Sequence, residues 1–110
     1  MDALDPLIHQ PLRTQIVAFL AGAKEVTFTE LKQTLEVSDG NLESHLKKLI
    51  AADYVAVRKE SGNGRPQTFY ALTSAGQAAL QSYVAALQAL LSPHPADTAT
   101  MFNALKPSIN

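Results

Sequence analysis

A mainly α (α+β) fold is predicted from three observations. Two short stretches, Thr29 to Leu35 and Ser38 to Ala52, carry leucines at helical spacing with only two residues between them. Two β-rich runs follow, Tyr54 to Arg58 and Gln67 to Leu72, around a tip of Gly62, Asn63, Gly64, Arg65 and Pro66. A long apolar-striped segment from Thr73 to Leu91 closes the pattern.

Each element has a local reason. Pro11 suits the first turn of a helix, Leu12, Ile16, Phe19 and Leu20 follow at helical spacing, and Gly22 supplies a stop. Leu4, Leu7 and Ile8 form an earlier turn or an arm. Val26 to Phe28 alternates like a short strand. Thr29 is placed as the cap of the next helix, and Lys32 at its third position leaves the full capping box absent. Glu36 and Val37 make a turn, and Ser38 caps a helix over about 38–52 that buries Leu42, Leu46, Leu49 and Ile50. Asp53 and Tyr54 end it. In the ribbon over 58–68 the glycines permit positive φ, and Pro66 sits where no ladder donor is needed. Thr73 or Ser74 caps the last helix, which Pro93 and Pro95 terminate. The predicted order is helix, strand, helix, helix, strand, strand, helix (α1-β1-α2-α3-β2-β3-α4) with a C-terminal tail, which is a winged helix-turn-helix.

Composition narrows the function. The chain has 110 residues, 46% of them apolar, so one domain with a packed core is expected over residues 1–91, with 92–110 a tail holding at best a short helix. It has no cysteine, which excludes disulfides and thiolate metal sites. No apolar run is long enough to span a bilayer and no signal peptide opens the chain, so a cytoplasmic protein without membrane contact is expected. Net charge is −1, but residues 38–70 hold five basic and four acidic side chains whereas residues 1–37 hold three and five. The basic groups thus gather in the helix-turn-helix and wing, where such a unit meets DNA.

With its leucines inward, the third helix turns Asp39, Gly40, Glu43, Ser44 and Lys47 outward, with Ser38 and Asn41 at its start. Asn pairs with adenine, Lys with guanine, Ser with several bases, and Glu accepts from cytosine N4. Gly40 costs helix stability, about 1 kcal/mol against alanine, and so suggests either close approach of a phosphate or base or a later start of the helix. Lys47, Lys48, Arg58, Lys59 and Arg65 form the expected phosphate set, Asn63 and Gly64 add contacts at the tip, and Glu60 pairs with a neighbouring cation.

The words VSDGNLESHLKKLIAADYV and VRKESGNGRPQTFYALTSAG resemble the winged-helix transcriptional regulators of the MarR and ArsR type, especially their small stand-alone versions. The resemblance covers roughly residues 5–91. It implies double-stranded DNA as partner, and a homodimer on a palindromic operator that acts as a repressor. In these families an LT-x-x-G step, here Leu72, Thr73, Ser74, Ala75 and Gly76, leads into a helix that dimerises with the first helix. The dimer residues are expected to be Leu12, Ile16, Leu80, Tyr83, Val84, Leu87 and Leu91. The metal box of ArsR-like sensors has no counterpart, and His9, His45 and His94 are too scattered for a site. His45 reads as structural. No nucleophile, base and orienter set appears, so neither enzymatic activity nor a cofactor is expected. Two rival readings stay open: a protein-interaction winged helix without sequence-specific DNA binding, and a sensor whose effector lies between the first and last helices near Tyr83.

Overall fold

The computed structural model describes residues 4–61 and 64–91. Its elements are α1 (Pro11–Ala21), β1 (Val26–Thr27), α2 (Phe28–Leu35), α3 (Asp39–Ala51), β2 (Val55–Glu60), β3 (Gln67–Leu72) and α4 (Ser74–Leu91), in the predicted order. The proposed contact residue Asn63 and the tail over 92–110 lie outside the described residues. No described helix is long and apolar enough to cross a membrane.

Caps set most boundaries. The Gln10 side chain accepts from Arg13 N at 2.8 Å above Pro11, and Gly22 ends α1 with its N–H on Phe19 O. Helix α2 differs from the sequence expectation: Thr27, not Thr29, is the cap, which moves the third helical position from Lys32 to Glu30. The capping box is therefore complete, with Thr27 Oγ1 accepting from Glu30 N and Glu30 accepting from Thr27 N. The strand alternation placed Phe28 outside the helix, and that shifted the cap by two. Glu36 carries a left-handed φ of 52° at the turn into α3, and Asp53 one of 64° after it. Ser38 caps α3 as expected, its Oγ accepting from Asn41 N at 3.2 Å.

The three strands form an antiparallel sheet in the order β1-β3-β2, with Tyr70 of β3 between Val26 and Val57. One core joins helices and sheet: Ile16, Val17 and Leu20 of α1, Leu31 of α2, Leu42, Leu46 and Leu49 of α3, Val55 and Tyr70. Residues 6–8 form a turn whose Ile8 is completely buried. Asp5 fixes it, accepting from Leu7 N at 2.9 Å and from the Tyr54 hydroxyl at 2.6 Å. This bond to a carboxylate, with burial, holds the Tyr54 phenol above its usual pKa.

Thr73 opens α4, its Oγ1 accepting from Gly76 N at 2.9 Å and donating to Asp53 O at 2.6 Å. Gly76 is there because the helix crosses the Tyr54 carbonyl at closest range. A Cβ at this position would overlap that oxygen and stand 2.8 Å from Leu72 Cδ1.

Candidate nucleic-acid interface

Burial divides α3 cleanly. Leu42, Leu46 and Leu49 have relative exposures of 0–1%, while Asp39, Gly40, Asn41, Glu43, Ser44, Lys47 and Lys48 are exposed. A Cβ on Gly40 would meet nothing within 4 Å, so nothing in the chain's own packing asks for glycine there. Asp39 does not stand free: Lys32 of α2 pairs with it at 2.7 Å across the turn.

Around the helix, the two flanks differ. His45 faces α1, where Arg13 Nη1 lies 2.9 Å from its Nδ1 and Arg13 Nε donates to Leu7 O at 2.6 Å. Arginine can only donate, so Nδ1 accepts and the imidazole is neutral with its proton on Nε2. Burial pushes the His45 pKa down, and the charges of Arg13 and Lys48 push the same way. The structural role expected for His45 thus has a partner, Arg13, that no spacing rule marked.

Glu43, on the other flank, faces the sheet. It borders a cleft of about 300 Å³ between α3 and the foot of the wing, which Phe28, Thr29, Gln67, Thr68 and Tyr70 also line. Burial, and secondarily the Glu43 charge, raise the Tyr70 phenol above its ordinary pKa. Tyr70 was legible only as a strand residue.

On the wing, Arg65 and Lys59 are exposed, and among the described residues neither has a carboxylate in ion-pair range, nor do Lys47 and Lys48. Arg58, also expected in the phosphate set, differs from these. Its guanidinium is already engaged by two carboxylates, Glu25 and Glu60, and lies 4.5 Å from the Phe69 ring centroid. These bonds hold its pKa above the usual arginine value and remove it from the free cations. Glu60 pairs as expected; Glu25, 33 residues away, was not foreseeable.

The dimerisation set also divides. Ile16 is completely buried in the chain's own core and offers no surface to a second copy. Tyr83 is 5% exposed because the N-terminal turn covers it, its hydroxyl 2.8 Å from His9 Nδ1. Both were assigned from the resemblance and from apolar spacing, and spacing cannot tell an intramolecular face from an intermolecular one. Leu12, Leu80 and Leu87 are half-buried, and Val84 and Leu91 are exposed, joined by Leu90, which the set left out.

These features together are those of a known family. A family model described as a winged helix DNA-binding domain matches residues 12–91. The chain belongs to that family. An uncharacterized protein of Methanocaldococcus jannaschii is 36% identical over 78 residues, which cover 71% of this chain and 85% of that protein. Among solved structures, a transcriptional regulator homologue from Pyrococcus horikoshii superposes with a TM-score of 0.75 at 25% identity, covering 79% of this chain and 86% of that one. The transcriptional repressor BigR from Xylella fastidiosa gives 0.60 at 28% identity, covering 72% and 74%. The winged-helix regulator resemblance read in the sequence therefore holds, and with it the fold class.

Proposed function

We propose that this winged-helix chain is a DNA-binding transcriptional repressor that acts as a homodimer on a palindromic operator. The observation that carries the reading is the two-sidedness of α3: a leucine face sealed into the core, and a face of Gly40, Asn41, Ser44 and Lys47 left open beside a wing that ends in Arg65. Asn41, Ser44, Lys47 and Glu43 read base edges, with Ser38 and the bare Gly40 at the helix start against the backbone. Lys48, Lys59 and Arg65 hold phosphates and fix the register. The similarity to BigR, a repressor by its description, supports the direction of regulation. The exposed end of α4, with Val84, Leu90 and Leu91, supports the dimer.

Selection of bound sequences from a random DNA pool tests this. A two-fold symmetric motif with half-sites about one helical turn apart is the expected result. Loss of all enrichment in low salt would replace the reading with a protein-interaction module. A second reading adds effector control, and a cleft of about 410 Å³ favours it, lined by His9, Gln10, Pro11, Thr14, Gln15 and Tyr83 between α1 and α4.

A further inference from the structure

The cleft between α3 and the wing has a chemistry of its own. Phe28 and Tyr70 line it as a tilted aromatic pair, ring centroids 6.3 Å apart at 48°. Glu43 lines it too, and its carboxylate has neither a hydrogen bond nor an ion pair among the described residues. The rest of the wall is neutral: Thr27, Thr29, Thr68, the Gln67 amide and Pro66, with no lysine or arginine. Its volume of about 300 Å³ lies at the small end of ligand pockets.

An anion beside two aromatic side chains selects by charge. Ring faces are negative in their quadrupole and attract cations, most strongly where water is displaced. A phosphate or carboxylate would meet Glu43 with no compensating cation in the wall. We propose that this cleft binds a small organic ammonium ion, with the ammonium on Glu43 and the hydrocarbon part against Phe28 and Tyr70. The threonine hydroxyls and the Gln67 amide oxygen accept the remaining N–H groups. An occupant would stand between the helix and the wing and cancel the Glu43 charge where phosphates approach. It would therefore strengthen non-specific DNA binding while taking Glu43 from the base edge that it reads. That consequence rests on the proposed function; the binding itself does not.

The test uses the full chain without DNA, labelled with ¹⁵N, and 2-phenylethylammonium as the probe. Its neutral and anionic counterparts are 2-phenylethanol and 3-phenylpropionate. Saturable one-to-one binding of the ammonium is expected, with amide shifts centred on Phe28, Glu43, Gln67 and Tyr70. The alcohol should bind about tenfold more weakly, the contribution of a desolvated cation over aromatic rings beside a charge, and the propionate should not saturate. Glu43 is exposed, so Glu43→Gln should fold normally and lose about the same factor for the ammonium alone. Equal binding of alcohol and ammonium, shifts centred on His9 and Tyr83, or an unaltered affinity in Glu43→Gln would each overturn the assignment. Ammonium binding by a protein that binds no DNA would leave the cleft standing and remove the DNA reading instead.

Discussion

Arg58 and Glu25 are joined by two parallel hydrogen bonds, Nε to Oε2 at 2.9 Å and Nη2 to Oε1 at 2.8 Å, which tie β2 to the residue before β1. With Glu60 at 2.9 Å on Nη1, the guanidinium faces more negative charge than it carries. A cation so engaged releases few counterions when DNA binds, because the carboxylates already stand where phosphates would. Arg58→Ala is expected to leave the slope of log affinity against log salt unchanged. Since the pair is exposed, stability should change little. A slope flattened as much as by loss of a free wing cation would show that Arg58 leaves Glu25 to take a phosphate.

Arg65 supplies the contrast. It lies beside Gly64, whose φ of 83° forms the turn at the foot of the wing tip, and it has no carboxylate partner among the described residues. Arg65→Ala should weaken binding to operator and random DNA by a similar factor, since a backbone contact carries little base information. For a dimer, one lost phosphate contact per subunit flattens the salt slope by roughly 2 units. An unchanged slope, measured by titration at four or five salt concentrations, would mark Arg65 as a solubilising side chain.

Gly76 is predicted to tolerate no side chain. Its Cα faces the Tyr54 carbonyl, and backbone cannot swing aside as a side-chain end can. Gly76→Ala must push α4 away from β2, with an overpacking cost of about 1–3 kcal/mol that exceeds alanine's helix-propensity gain of about 1 kcal/mol. Urea unfolding should show a net loss of stability. Equal or greater stability would mean that α4 shifts without resistance. The same substitution at Gly40, where the surroundings are open, should stabilise the free protein and reveal any requirement for glycine only on DNA.

Periodicity made the helices legible in the sequence, because a helix that packs on one side writes its buried stripe at intervals of three and four; Leu42, Leu46 and Leu49 are the clearest case. The ribbon was legible from β-branched residues flanking a glycine-rich tip. What stayed hidden depends on pairs distant along the chain. Arg58 with Glu25, Arg13 with His45, and Tyr83 with His9 are 33, 32 and 74 residues apart. None has a signal in spacing, so Arg58 read as one of the phosphate cations and Tyr83 as available to a second subunit. The start of α2 failed for another reason: Thr27 and Thr29 are equally good caps, and only Glu30, three residues after Thr27, decides between them.

The exposed end of α4 gives a prediction about assembly. Leu91 is 82% and Leu90 51% exposed, with Val84 at 43% about two turns earlier. Leu91→Arg should fold as the wild type does, since the side chain touches little of its own subunit, yet place a charge in a dimer contact. Sedimentation at micromolar concentration should show dimers for the wild type and monomers for the variant. Operator affinity should fall roughly 100-fold or more as the second half-site contact is lost. A monomeric wild type would remove α4 as the dimer helix.

His45 predicts a pH dependence of stability whose sign follows from its neutral state. Burial and the charges of Arg13 and Lys48 depress its pKa in the folded chain, whereas the unfolded chain titrates near the usual value of about 6.5. Above that pH both states are neutral and His45 adds no slope. As pH falls through about 6.5 the unfolded state takes up a proton that the folded state refuses, so stability declines until the depressed folded pKa is passed. His45→Gln keeps an acceptor for Arg13 in its amide oxygen and cannot titrate. Urea unfolding at pH 7.5 and 5.5 should therefore show a larger loss on acidification for the wild type than for the variant. Equal losses would mean that the Arg13 bond does not hold His45 neutral and that α1 and α3 are not coupled through it.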